Sequence, residues 1–164
     1  MRLILFQPDI PQNTGTILRL AACLSVGVDI IGPAGFDWSD RAMRRAGLDY
    51  LDHVALQRHI GWESFLSDHK RNPDAGRLIL LTTQAEESYC AFSYAADDCL
   101  ILGRESSGVP DDVHRSADHR VTIPLAPGRR SLNVAVAAAM VVGEALRQTD
   151  GFPRPAAGAP HESA

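Results

Sequence analysis

A chain of 164 residues, 45% of them from the set AVILMFWYC and 22% charged, has the length and balance of one globular domain with a sizeable core. Three widely spaced cysteines in apolar surroundings, Cys23, Cys90 and Cys99, read as reduced core thiols of a cytoplasmic protein and exclude a disulfide frame. The net charge of −4 decides nothing about partners: fifteen of the sixteen basic residues are arginine, which suits phosphate contact, but a GC-rich genome gives the same bias.

Arg2–Phe6 is an apolar run that reads as a buried first strand, without the charged and long apolar regions of a signal peptide. Residues 7–15 are turn-rich; Asn13 is placed to cap a helix and Gly15 to allow close backbone approach. The helix itself shows in the spacing of Ile17, Leu18, Ala21, Ala22 and Leu24, with Arg19 on its more polar side. Residues 28–31 read as the second strand, closed by Gly32 and Pro33. Ser39 is placed to cap a short helix carrying Arg41, Arg44 and Arg45, and residues 59–70 read as a further helix with Trp62, Phe65 and Leu66 on one side. Residues 77–82, 99–102 and 121–123 read as three more strands. A last helix over residues 131–148, with Ser131 as its cap, holds an apolar stretch (134–143) too short to span a bilayer. From residue 149 the chain is rich in Pro, Gly and Ala and reads as a disordered tail, leaving residues 1–148 as the folded domain.

Strands apolar at consecutive positions are covered on both faces, so the expected fold is α/β, a mostly parallel sheet flanked by helices. Ligands in such sheets bind beyond the carboxyl ends of the strands, where three loops are conspicuous: Thr82 and Thr83, Gly103 to Gly108, and Pro124 to Arg130. Gly103 and Gly108 have the glycine spacing of a phosphate-binding loop, but Val109 and Pro110 stand where lysine and serine or threonine are needed. No G-x-G-x-x-G follows the first strand and no G-x-S-x-G elbow occurs, which argues against nicotinamide enzymes and hydrolases of that kind. The six histidines form no ligand-spaced set, so no catalytic metal is expected. Arg129, Arg130, Ser131 and Asn133 converge on a helix start, where unpaired N–H groups suit an anion; an ordinary capped helix explains that stretch equally well.

Three ordered segments together are more specific. Asn13-Thr-Gly15 with Arg19, Leu102-Gly103-Arg104-Glu105 through Gly108-Val-Pro110, and Ile123-Pro124 through Arg130-Ser131-Leu-Asn133 with Gly143-Glu144-Ala145 resemble the motifs of the SpoU branch of SPOUT RNA methyltransferases. With Arg44 to Tyr50 and the small size, the chain looks like the compact subgroup that methylates the ribose of the tRNA wobble nucleotide, cytidine or uridine. The resemblance runs from Arg2 to about Gln148 and implies a C-terminal deep trefoil knot, a homodimer, and S-adenosylmethionine held bent, mostly through backbone groups. It implies cofactor contacts at Leu81, Thr82, Gly103, Glu105, Gly108, Ile123, Pro124 and Ser131, and catalytic roles for Arg19, Asn13, Glu105, Ser131 and Asn133. Arg41, Arg44 and Arg45, with Arg129 and Arg130, are the expected contacts to the tRNA anticodon arm; neither membrane nor DNA is an expected partner. A base role for Arg19 is chemically awkward, because guanidinium stays protonated, so phosphate contact is the expected role. Two positions depart from the family pattern: Val136 stands in the last motif where Asn is frequent, and Gly143 where the wobble subgroup often has tyrosine. Other readings are a ribose methyltransferase for a different tRNA or rRNA nucleotide, and an RNA-binding protein on this fold that no longer turns over.

Overall fold

A computed structural model of the chain describes residues 1–37 and 53–154. Among them six parallel strands form one sheet: β1 (Arg2–Phe6), β2 (Gly27–Ile31), β3 (Leu56–His59), β4 (Leu78–Leu81), β5 (Cys99–Leu102) and β6 (His119–Val121). Their order is β3-β2-β1-β5-β4-β6, and pairings such as Arg2 with both Gly27 and Cys99 set the register. The four helices described are α1 (Pro11–Leu24), α2 (Trp62–Arg71), α3 (Asp111–Ser116) and α4 (Val134–Gln148). None of them is long and apolar enough to cross a membrane.

Side chains alternate across a strand, so each central strand feeds two cores. Leu3, Leu5, Leu100 and Leu102 pack with Ile17 and Leu18 of α1 and Val141 and Val142 of α4. Ile4, Phe6, Leu80 and Ile101 face the other way, against Trp62 and Phe65 of α2 and Val113 of α3. Each such fully buried aliphatic side chain stabilises the fold by about 1.5–3 kcal/mol. The expected α/β layering is what the strands build, and α1 and α4 share one side of the sheet.

Several expectations shift. Residues 56–58, for which no element was expected, form edge strand β3 together with His59, which does not open the helix; that starts at Trp62. Gln57 and Arg58 are exposed, so no apolar pattern marks the strand, and it is held by backbone pairing to β2. α1 begins at Pro11, whose missing N–H costs nothing in a first turn, so Asn13 lies inside the helix and does not cap it. The cap of α4 is Asn133, not Ser131: its side chain accepts from the N–H groups of Ala135 and Val136. β6 lies two residues earlier than 121–123, and α3 fills a stretch where no helix was expected. Only Cys99 is a core thiol, its pKa pushed up to about 11 chiefly by burial; Cys23 and Cys90 are exposed. The helix expected to carry Arg41, Arg44 and Arg45 lies outside the described residues, as does the tail beyond Arg154.

Candidate active site

The carboxyl ends of β4 and β5 open into a cavity of about 570 Å³, within the usual range for a cofactor site. Its floor and walls come from the three loops that the sequence marks. Leu81, Thr82, Gly103, Gly108, Ile123 and Ser131 all line it, as do Asn13, Glu105, Arg130 and Asn133. Pro124 and Arg129 are exposed and outside the lining, and so is Arg19, on the exposed side of α1.

The loop between β5 and α3 is tight. Arg104 and Gly108 exchange two backbone hydrogen bonds of 2.9 Å, and Gly108 has φ +70°, which suits glycine. Gly103 passes so close beneath that a Cβ there would sit 2.7 Å from the carbonyl carbon of Gly108. Small residues thus bring the backbone of this loop to the cavity wall.

A polar lock joins this loop to the one after β1. Arg104 donates to Asp9 Oδ1 (Nη2 at 2.5 Å, Nε at 3.1 Å), while Ser106 donates its N–H and its hydroxyl to Asp9 Oδ2. The Arg104 guanidinium first, and then Ser106, hold the Asp9 carboxyl down at about 2. Glu105 accepts from the Asp9 N–H at 2.9 Å and from Asn13 Nδ2 at 3.1 Å. Asn13 Oδ1 in turn accepts from Asn133 Nδ2 at 3.0 Å. One chain of bonds therefore links all three sequence segments, with Asn13 as the middle member.

Sequence reasoning missed three participants. Asp9 and Ser106 carried no signal beyond lying in polar loops, since their bond spans 97 positions. His114 of α3 also lines the cavity and had passed only as one histidine of six. Arg120 donates to its Nδ1 at 3.1 Å.

A parallel α/β sheet with a glycine-shaped cavity at its carboxyl edge, crossed by an amide and carboxylate network, is the binding site of an α/β enzyme fold. The chain belongs to the SpoU rRNA methylase family, which it matches over residues 1–143. It is 60% identical over 146 residues to a tRNA (cytidine(34)-2'-O)-methyltransferase of Beijerinckia indica, covering 89% of this chain and 90% of the relative. To the protein of the same name from Escherichia coli K12 it is 40% identical over 155 residues, covering 93% and 96%. Its fold matches, with a TM-score of 0.81 and 37% identity, a solved structure described as giving insights into "the 2-OH methylation of C/U34 on tRNA", over 90% of this chain and 94% of that one.

Proposed function

We propose that this protein transfers a methyl group from S-adenosylmethionine to the ribose 2′-hydroxyl of nucleotide 34, cytidine or uridine, in the tRNA anticodon loop. The observation that carries the reading is the Asn13–Glu105–Asn133 network on the wall of a cofactor-sized cavity. Two relatives named for this reaction, at 60% and 40% identity, support the substrate.

The residues present fit the cofactor. Gly103 and Gly108 let backbone groups approach it, Leu81 and Ile123 offer apolar contact, and Ser131 and Glu105 offer polar atoms. When bound, it supplies a methyl group on a sulfonium, already activated for attack. What the chain must add is alignment and an exit for the hydroxyl proton. Asn13 and Asn133, each held by a second partner, are rigid enough to orient the incoming ribose. Arg19, on the exposed side of α1, engages the RNA phosphate, and the proton leaves through that contact or water. Arg130, at the cavity, and Arg129, Arg41, Arg44 and Arg45 extend the RNA contact along the anticodon arm.

The working form is a cytoplasmic homodimer of domains spanning residues 1–148, each with a deep trefoil knot and followed by a tail of residues 149–164. Val136 on α4 is 50% exposed beside the exposed Ala139, so a second apolar strip of this helix, apart from the side packed in the core, is left uncovered among the described residues. A partner subunit there covers it.

The test is methyl transfer from labelled S-adenosylmethionine to total tRNA from cells lacking this protein, with nucleoside and position mapping. Label at the 2′-oxygen of nucleotide 34 is expected. Label at another ribose overturns the substrate, and no label with cofactor bound favours an RNA-binding protein that no longer turns over. The same preparation should sediment at twice the 17.8 kDa chain mass.

A further inference from the structure

The chain leaves β1 through a residue in an unfavourable backbone state. Gln7 has φ +43°, in the left-handed region that suits glycine and crowds the Cβ of any other residue. Two further non-glycine residues among those described have a positive φ, Ser25 and Asp150. Ser25 caps the end of α1 and Asp150 lies two residues past α4, where that state is ordinary. Gln7 ends no helix. Its side chain explains why glutamine stands there. Oε1 accepts from Arg104 Nη1 at 3.3 Å, and Nε2 donates to the Gly32 carbonyl at 3.3 Å. Arginine only donates and a carbonyl only accepts, so the amide has one orientation.

These two bonds join loops with different duties. Arg104 sits in the loop that lines the cavity, beside Gly103 and Glu105. Gly32 opens the segment of residues 32–37, which leads in sequence to Arg41, Arg44 and Arg45. That segment also lies on the turn that carries Asp9. The Gly35 N–H donates to the Pro8 carbonyl at 2.9 Å, and a Cβ at Gly35 would sit 2.9 Å from Asp9 Oδ1. The cavity loop is fastened to Asp9 by bonds of its own, from Arg104 and Ser106, which hold it without Gln7. What Gln7 adds is a fixed spacing between that loop and the segment entering the RNA arginines.

We infer that Gln7 is a positioning residue for methyl transfer, holding the cofactor loop in register with the RNA-side segment through Arg104 and Gly32. This rests on the methyl-transfer reading of the cavity and on RNA contact by Arg41, Arg44 and Arg45. Each ligand is bound by groups other than Gln7, so loss of the bridge leaves both affinities in place. Attack of a ribose hydroxyl on a sulfonium methyl depends on how the two ligands lie relative to each other, and small misplacements slow it steeply.

Gln7→Asn and Gln7→Gly test this in the full chain, because both residues accept the left-handed backbone. Asparagine draws the amide back by one methylene, and glycine removes it. Each should lower kcat about tenfold at saturating S-adenosylmethionine and tRNA from cells lacking this protein. Dissociation constants for S-adenosylhomocysteine, by calorimetry, and for tRNA, by filter binding, should stay within about twofold of wild type. The urea midpoint of Gln7→Gly should also hold, since relief of the backbone offsets the two lost bonds. A purely structural role would instead move the midpoint and both dissociation constants along with kcat. Gly35→Ala, which wedges the two loops apart at Asp9 and leaves Gln7 in place, should show the same split, and it serves if the Gln7 variants do not fold. Unchanged kcat overturns the inference. A fall in kcat matched by an equal loss of cofactor or tRNA affinity overturns it too, since Gln7 would then shape one site alone. If the unaltered protein methylates no tRNA, the methyl-transfer reading fails and the inference with it, and wild-type activity tells that result from the other two.

Discussion

Glu105 Oε1 lies 3.1 Å from Asn13 Nδ2 across 92 positions of sequence, while Oε2 of the same carboxylate holds the Asp9 N–H at 2.9 Å. Both oxygens therefore face donors. A glutamine in this place keeps one acceptor and turns an NH₂ toward the other donor. Glu105→Gln should cost about 1.5–3 kcal/mol in urea denaturation, as for a hydrogen bond to a charged group. Turnover should fall at least about tenfold, because Asn13 loses its fixed orientation. Single-turnover methyl transfer near the wild-type rate would rule the orienting role out.

Gly103 is constrained by backbone rather than by a side chain that could swing away. A Cβ there meets the Gly108 carbonyl carbon at 2.7 Å and its Cα at 2.9 Å, so Gly103→Ala must move the loop. Overpacking of this kind costs about 1–3 kcal/mol, and here the displaced loop lines the cavity. S-adenosylhomocysteine affinity should drop more than about tenfold. Gly61→Ala serves as the control: a Cβ at Gly61 meets nothing within 4 Å, and the residue lies outside the cavity lining. Equal affinities for the two variants would show that the close approach at Gly103 is irrelevant to binding.

The central strands were legible through runs of consecutive apolar residues, as in Leu100-Ile-Leu102, which a parallel sheet covered on both faces needs. β3 was not, since an edge strand can expose Gln57 and Arg58 and still bond to β2 through its backbone. The three loops at the carboxyl ends were visible through their glycines and polar residues, and the cavity indeed lies among them. Which side chains bond to one another was not. Ser131 and Asn133 are both acceptable caps by residue type, and only the chain path selects Asn133. Arg104 with Asp9 and Arg120 with His114 depend on how strands stack, and no local pattern records that.

The lock at Asp9 gives the protein an acid limb. Arg104 and then Ser106 lower the Asp9 pKa from 3.8 to about 2, and Arg147 and Gln148 lower that of Glu144 from 4.5 to about 2. For a carboxyl depressed on folding, the unfolded chain binds the proton more readily, so stability rises with pH across the window. The contribution is complete above the unfolded values and is lost as pH falls through the folded ones. Urea midpoints measured from about pH 6 down to about pH 2 should fall, with a shallower fall in Asp9→Asn. A limb of the same slope in that variant would assign the loss to other carboxyls.

Arg19 stands apart from the cavity lining, exposed on α1 along with Gln12 and Thr16. That position suits a residue reaching the RNA better than one touching the cofactor. Lysine keeps the charge but not the forked geometry that grips phosphate through two bonds. Arg19→Lys should therefore keep part of its tRNA affinity in filter binding and lose most of its turnover, with cofactor affinity unchanged. Unaltered turnover would remove Arg19 from the catalytic set.

Asn133 has two duties that two substitutions can separate. Its Oδ1 caps α4 by accepting from Ala135 N at 2.8 Å and Val136 N at 3.3 Å, and its Nδ2 donates to Asn13. Aspartate is an equally good cap and keeps the acceptor, but it cannot donate, and it would set a carboxylate against Asn13 Oδ1. Asn133→Asp should hold stability within about 0.5 kcal/mol of wild type. Its turnover should fall at least about tenfold as the link to Asn13 and Glu105 breaks. Alanine removes both functions, so Asn133→Ala should lose about 1 kcal/mol as well as turnover. If activity instead follows stability through both variants, with Asn133→Asp active and Asn133→Ala impaired, then Asn133 serves the reaction only by starting α4, and the amide network is a consequence of the helix rather than a part of the chemistry.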